Sequence, residues 1–124
     1  VTPYDSWLDT RCALYVDFMN RTAGGEIVAR TGGPASFNHG PKMLWWRAER
    51  KDDYRAIRSF VQPGGYAAMR LCGLSAADAF VDHTYLHFSG FADTRREKWD
   101  DELCRQFRFD AGKLPRIVSP QTIV

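Results

Sequence analysis

The sequence has few cysteines, no long apolar run and no strong excess of charge of either sign. Three of its 124 residues are cysteines, at the widely spaced positions Cys12, Cys72 and Cys104. An odd number of distant cysteines argues against a disulfide framework and predicts reduced thiols that fill the core of a cytosolic protein. No stretch approaches the roughly 20 apolar residues that cross a bilayer, and no signal peptide is visible. We therefore expect a cytoplasmic protein with no membrane partner.

The charge is also too small to indicate a nucleic-acid partner. The net charge is +2, and the basic residues at 47–51 and 95–96 are short runs, typical of solvated helix faces. Apolar residues make up 44% of the sequence and charged residues 26%, which are ordinary values for a folded domain. Residues 1–124 thus fit one domain, with no second domain, no internal repeat and no low-complexity segment.

Motifs for phosphate, metal and nucleophile chemistry are missing as well. The glycine pairs at 24–25 and 32–33 lack the Lys-Ser/Thr of a phosphate-binding loop. His83 and His87 have a zinc-like spacing, but Thr84 replaces the glutamate of His-Glu-x-x-His and no third ligand is evident. No Gly-x-Ser-x-Gly segment occurs. We predict no metal site and no catalytic residue within this sequence.

Glycine and proline divide the sequence into short helical segments with few strands. Residues 84–91 fit a strand or an extended loop equally well, and residues 63–65 (Pro-Gly-Gly) predict a break. The helix that starts at Pro41 should bring Met43, Leu44, Trp45 and Trp46 into the core and leave Lys42 exposed or snorkelling. We predict an α/β fold, predominantly helical, with a strand end over 5–8 and helices over 9–20, from 41, from 52, over 66–71 and over 100–107.

Trp7 and Asp9 are the leading candidates for ligand binding. At a strand end, residues two apart lie on the same face of the pleat. An indole packs well against the C–H face of a sugar, and a carboxylate accepts hydrogen bonds from hydroxyls. The alternative, favoured by these residues alone, is a buried Trp7 with Asp9 capping the next helix. Arg11 is expected to pair with a carboxylate.

Five segments occur in the order found in a known family. The family pattern Trp-x-Asp-x-Arg is matched by residues 7–11, and Pro-Lys before Leu-Leu-Trp by residues 41–46. The pattern Leu-Pro-x-Asp-Tyr with Arg-x-Thr-Gly is matched by residues 60–73. An Asp followed by Trp-Ser-Asp-Glu-Leu is matched by residues 93–103, and Leu-Pro-x-Val by residues 114–117. The sequence thereby resembles the FGGY carbohydrate kinases, and xylulokinase-like members most closely. It departs from them at His39, where a small hydroxyl residue is usual, at Gly65 for Asp and at Cys72 for Thr.

The resemblance implies part of the amino-terminal actin-like (ribonuclease H-like) domain of a sugar kinase. Such a kinase binds ATP and Mg²⁺ between two domains and would phosphorylate a pentulose such as D-xylulose. The resemblance places Trp7 beside the polyol substrate and adds Asp9 and Phe37 as substrate-binding residues. Asn38 competes with Phe37 if the alignment slips by one residue, and packing under the loop is the alternative role of Phe37.

The family's Asp-x-Gly-Thr phosphate loop, catalytic aspartate segment and adenosine-binding domain are not in the sequence. We interpret residues 1–124 as an internal slice of the amino-terminal domain, with the catalytic carboxylate expected beyond Val124. Its partners would be a small sugar and the remainder of the kinase polypeptide, with a homodimer left open. The isolated slice is expected to be inactive. Two alternatives remain open: a non-catalytic helical binding or interaction module, and an inactive kinase homologue.

Overall fold

The computed structural model describes residues 2–124, apart from the side chain of Phe88. Helix is the main element, as expected. The helices are α1 (Ala13–Thr31), α2 (His39–Glu49), α3 (Lys51–Ala56), α4 (Pro63–Leu71) and α5 (Asp101–Gln106). The strands are β1 (Phe80–Asp82), β2 (Ala92–Asp93), β3 (Lys98–Trp99) and β4 (Arg116–Val118). Short 3₁₀ turns cover Ala76–Asp78, His83–Phe88 and Ala111–Lys113.

The strands form two small two-stranded sheets. Strands β1 and β4 run parallel, with Val81 opposite Ile117, whereas β2 and β3 run antiparallel, with Ala92 opposite Trp99. The Trp99 indole N–H donates to the carbonyl of Pro115 at 2.7 Å, immediately before β4. This partly buried hydrogen bond connects the two sheets.

The core lies between α1, α2, α5 and the segments on either side of α5. Its fully buried side chains include Met19, Ile27, Leu44, Phe91 and Phe107. The ring of Phe91 stacks on Phe109 at 4.8 Å and meets Phe107 edge-on at 6.1 Å. Such aromatic pairs contribute about 0.5–1.5 kcal/mol each beyond their buried area.

Helix α1 starts later and runs further than the sequence predicts. It continues through the glycine pair at 24–25 and ends at Gly32, which has φ +86°. A kink at Ala23, with φ −145° and ψ 27°, lies beside that pair. The predicted end near residue 20 was wrong, because burial of Ile27 and Thr31 offsets the low helix propensity of glycine.

Helix α2 follows the prediction more closely. It begins two residues before Pro41, and it buries Met43, Leu44 and Trp46 as expected, whereas Trp45 is only half-buried. The short helix after Asp52 and the last helix before Pro115 are confirmed within one or two residues.

Three local expectations were wrong. Residues 5–8 form a loop rather than a strand end, since the described strand pairs are β1–β4 and β2–β3 and neither extends to this segment. Residues 63–65 are the first turn of α4, with Pro63 at a position where its missing N–H is not needed. Residues 83–88 coil into a 3₁₀ turn that begins at an Asp82 cap, so the 84–91 segment is mostly neither strand nor extended loop.

Two further expectations concern the burial of the cysteines and a membrane-spanning helix. Cys12 and Cys104 are buried, as predicted for core residues, but Cys72 is exposed at the end of α4. Within residues 2–124, no helix is long and apolar enough to cross a membrane.

Candidate functional site

Trp7 lies at the tip of a tight turn. The backbone N–H of Asp9 donates to the carbonyl of Ser6 at 2.9 Å, and this bond closes a turn with Trp7 and Leu8 at its centre. The Trp7 side chain is 73% exposed. Trp7 is therefore not the buried core residue of the alternative interpretation, and its indole is open to a ligand.

Asp9 is held by its neighbour Arg11. The Arg11 guanidinium donates to both carboxylate oxygens of Asp9, with the Nε contacts at 2.9 and 3.0 Å, and the Arg11 backbone N–H donates to Oδ1 at 3.0 Å. These hydrogen bonds lower the pKa of Asp9 to about 2. Asp9 is thus a permanent carboxylate, with much of its acceptor capacity already used.

The pairing expected for Arg11 is confirmed, and the capping role considered for Asp9 is not. Arg11 also binds Asp5, at 2.9 Å. The residue that caps α1 is Cys12, without a side-chain hydrogen bond. Asp9 therefore serves the loop rather than the helix that follows.

Two tryptophans of α2 hold this loop against the helix. The Arg11 guanidinium stacks over the ring of Trp45 at 4.3 Å, and the Trp46 indole N–H donates to Asp5 at 2.5 Å. A cation–π contact of this kind contributes about 0.5–1 kcal/mol near the surface. The loop bearing Trp7 and Asp9 is consequently docked at both of its ends.

Lys42, in the first turn of α2, completes the attachment. Its side chain is nearly buried, with the residue 9% exposed, and its Nζ donates to the carbonyls of Ser6 at 2.5 Å and Asp9 at 3.2 Å. The expectation of an exposed or snorkelling lysine was wrong. A buried ammonium is tolerable only where acceptors surround it, and here they come from a loop more than 30 residues earlier in the chain.

Phe37 stays on a separate segment, the loop that precedes α2. It is 37% exposed, and Asn38 caps α2 by position without a side-chain hydrogen bond. Trp7 and Asp9 thus share one turn, and Lys42 ties that turn to the helix that follows Phe37.

His39 faces the protein interior instead. Burial, with a smaller contribution from the charges of Lys42 and His87, lowers its pKa to about 4. Gln62 Nε2 lies 3.4 Å from His39 Nδ1, in a narrow crevice of about 30 Å³ that Met43 and Trp99 also line. That space holds about one water molecule, so the crevice is too small for a sugar.

The histidine pair rejected as a zinc site has other contacts. His83 Nδ1 lies 3.1 Å from Glu97 Oε1, across the turn between β2 and β3. Among residues 2–124, no three His, Cys, Asp or Glu side chains are grouped to hold a metal ion.

Comparison with known proteins agrees with the resemblance seen in the sequence. The family model for the N-terminal domain of the FGGY family of carbohydrate kinases matches residues 1–124. A xylulose kinase of Staphylococcus xylosus is 23% identical over 121 residues, which are 96% of this chain and 24% of that protein.

Solved structures show the same fold. Gluconate kinase from Lactobacillus acidophilus superimposes with a TM-score of 0.83 at 22% identity, over 100% of this chain and 25% of that chain. Plasmodium falciparum glycerol kinase with ADP gives 0.72 at 22% identity, over 90% of this chain and 23% of that chain. The chain spans about a quarter of the length of these relatives. The family and fold class expected from the sequence are thereby confirmed.

Proposed function

Because the chain belongs to the FGGY family of carbohydrate kinases, we propose that it forms one wall of the sugar pocket of an ATP-dependent kinase. The substrate that we propose is a pentulose, with a xylulose-like sugar as the first choice. The family membership supports phosphotransfer to a carbohydrate hydroxyl. The pentulose rests on the motif resemblance and on the xylulose kinase relative, while other relatives are named for gluconate and glycerol.

We assign the phosphate chemistry to parts of the protein outside residues 1–124. The Asp-x-Gly-Thr loop and the Gly-Gly-x-Asp segment typical of the family are not in this sequence. ATP and Mg²⁺ would bind mainly there, and a carboxylate beyond Val124 would accept the hydroxyl proton. Phosphoryl transfer depends chiefly on positioning and charge neutralisation, so residues 1–124 contribute by holding the sugar.

This assignment makes the remainder of the polypeptide the principal partner of these residues, as part of one amino-terminal domain. We propose a cytoplasmic protein, in keeping with three cysteines that are all unpaired. A homodimer is compatible with this assignment, and nucleic acid and membrane are not among its partners.

The observation that carries the proposal is the exposed Trp7 on a docked loop. A large indole at 73% exposure presents a flat apolar face. The ionised Asp9 beside it would accept a sugar hydroxyl only through the acceptor capacity that Arg11 leaves, so Trp7 carries more of the proposed contact. Phe37, at 37% exposure, offers a second aromatic surface near the start of α2. Together these groups suit a ligand with C–H faces and several hydroxyls.

An inactive homologue that still binds sugar is the second candidate, because His39 and Gly65 depart from the family pattern. The departure at Gly65 has a local explanation. A Cβ at this position would lie 3.0 Å from the carbonyl oxygen of Phe80, so an aspartate here would require α4 and β1 to move apart by a few tenths of an ångström. Close packing of α4 on β1 is thus one reason for a glycine at this position, separate from any loss of activity.

The test is Trp7→Ala in the full-length protein that contains this chain. Loss of a stacking aromatic should weaken contact by on the order of 1–3 kcal/mol, and we expect the KM for the pentulose to rise about ten- to hundredfold. The KM for ATP should stay nearly unchanged. Leu8→Ala is the matched control, since Leu8 is 68% exposed in the same turn. A folded Trp7→Ala variant with the original sugar KM would make Trp7 a structural residue and remove the pocket assignment.

A further inference from the structure

We propose that Lys42 is a positioning residue for the sugar, which acts by fixing the turn that carries Trp7. The inference rests on the proposed function in one respect, the sugar contact of Trp7. Lys42 itself would not touch the substrate, because its ammonium is already occupied by the protein backbone.

The geometry of the turn supports this role. Ser6 and Asp9 are the first and last residues of the turn, and both of their carbonyls accept from Lys42 Nζ, at 2.5 and 3.2 Å. The turn's own closing bond, from Asp9 N–H to the Ser6 carbonyl, measures 2.9 Å. One ammonium therefore holds the two positions between which Trp7 projects.

The turn is also held from within the loop, because Arg11 donates to the Asp9 carboxylate and the Leu8 N–H donates to Ser6 Oγ at 3.2 Å. Asp5 binds Trp46 and Arg11 stacks on Trp45, so the loop remains docked on α2 without Lys42. Lys42 is the side chain of α2 that binds the backbone of the turn itself, at both of its ends. We therefore expect its loss to loosen Trp7 without releasing the loop.

The site is also an unfavourable place for a positive charge in the absence of these acceptors. Lys42 is nearly buried, and it lies in the first turn of α2, where the helix dipole disfavours cations. The two carbonyls offset both effects, since hydrogen bonds from a charged donor are stronger than neutral ones. An apolar side chain would fill the same space but would leave the turn unfixed.

The experiment uses Lys42→Met in the full-length protein, with Lys113→Met as the matched control. Lys113 Nζ donates to the carbonyl of Ile57 at 2.5 Å, so the control removes the same kind of bond far from the turn in sequence. We expect Lys42→Met to raise the sugar KM about three- to tenfold, with the ATP KM unchanged. We also expect faster amide hydrogen exchange at Asp9, whose N–H closes the turn. Lys113→Met should change neither quantity.

The double variant Trp7→Ala/Lys42→Met shows whether the lysine acts through Trp7. If it does, the double variant has the sugar KM of Trp7→Ala alone. Additive effects, or an unchanged sugar KM and Asp9 exchange rate in folded Lys42→Met, would overturn the inference. If Trp7→Ala alone has no effect on sugar KM, the proposed function fails instead, and Asp9 exchange still reports on the lysine.

Lys42→Arg serves if the methionine variant does not fold. It keeps a charged donor with a different shape, so we expect Asp9 exchange and sugar KM between those of the original protein and the values expected for Lys42→Met. Values equal to those of the original protein would show that any cation suffices and that the fixed geometry proposed here is not required.

Discussion

At the scale of single residues, the charge of Asp9 is controlled by contact with Arg11 rather than by burial. Asp9 is only partly buried, yet its pKa falls to about 2 because Arg11 donates to both carboxylate oxygens. Asp9 therefore stays ionised throughout the neutral range. A pH dependence of sugar binding between pH 5 and 8 should then come from other groups.

His39 is the residue for which burial dominates, and it should make the protein acid-sensitive. Its pKa of about 4 lies below the ordinary histidine value of about 6.5, so the unfolded chain binds a proton that the folded chain refuses. Stability from this group is complete above about pH 6.5 and is lost as the pH falls towards 4. We expect on the order of 1–3 kcal/mol of loss across that window. In urea titrations at pH 7 and pH 4.5, His39→Gln should show a smaller difference between the two midpoints.

The variant also provides its own control. A packing defect from His39→Gln would lower both midpoints equally, whereas removal of the titrating group changes only their difference. An unchanged difference would mean that His39 is not the group that takes up the proton.

The residues of the loop show how far the sequence alone could lead. The Asp9–Arg11 pair was foreseeable, because two residues of opposite charge two positions apart can meet without any tertiary structure. Lys42 was not foreseeable, because its acceptors are backbone carbonyls of Ser6 and Asp9 that carry no side-chain signature. For Trp7 the residues alone favoured burial, the default for an aromatic side chain, and the family resemblance was what pointed to an accessible indole.

At the scale of elements, the start of α2 packs closely against its neighbours, and Gly40 leaves less room for an added Cβ than any other glycine of the chain. A Cβ added at Gly40 would lie 2.7 Å from the carbonyl of Ser89 and 3.2 Å from Met19 Cε. Gly90, which has φ +71°, lies close to Gly40. A Cβ added at Gly90 would lie 3.7 Å from Gly40 Cα. Lys42 follows two residues later, so this packing sets the position from which it reaches the turn.

Gly40→Ala should therefore destabilise the protein, because the obstacle is a backbone carbonyl that cannot rotate away. Overpacking of this kind costs about 1–3 kcal/mol. Gly25→Ala is the matched control: it lies inside α1, has no atom within 4 Å of an added Cβ, and should be neutral or stabilising by up to about 1 kcal/mol. Thermal unfolding of the two variants side by side tests the pair. Equal melting temperatures would show that the approach of α2 to Ser89 is looser than described.

The elements themselves were predictable where local signals are strong. Pro41, Asp52 and the acidic residues before α5 mark helix starts that the structure confirms to within two residues. Strand β1 has no comparable local signal, because three residues at 80–82 pair with partners at 116–118 across most of the carboxyl-terminal third of the chain. The full length of α1 was also missed because it depends on tertiary contacts. Burial of side chains in its second half keeps the segment helical despite the glycine pair at 24–25.

At the scale of the whole molecule, the chain has its own core but also many large apolar side chains on its surface. Leu14 and Leu71 are 79% and 88% exposed, and Trp7 and Tyr4 are similar. Under the proposed function, these surfaces face the remainder of the kinase or the sugar cleft. A core of buried aromatics with uncovered apolar faces is consistent with one part of a larger domain.

The final prediction follows from the assignment of the phosphate chemistry to other parts of the protein. The 124-residue chain alone should transfer no phosphoryl group from ATP to any sugar. Oriented charge around the γ-phosphate supplies most of the rate in this chemistry, and we place the phosphate loop, the proton-accepting carboxylate and the adenosine site outside these residues. Sugar affinity should also be weak, because a half-formed pocket neither excludes water nor fixes orientation.

ADP release is measured with purified chain, ATP, Mg²⁺ and a panel of pentuloses, hexuloses and polyols, alongside the full-length protein. Circular dichroism first establishes that the isolated chain is folded, so that inactivity is not merely the result of unfolding. The full-length protein should turn over at least one sugar in the panel, preferably a pentulose, and the chain none. Sugar-dependent turnover that copurifies with the chain would place the catalytic carboxylate within residues 1–124, and the assignment of these residues to the sugar wall alone would have to be abandoned.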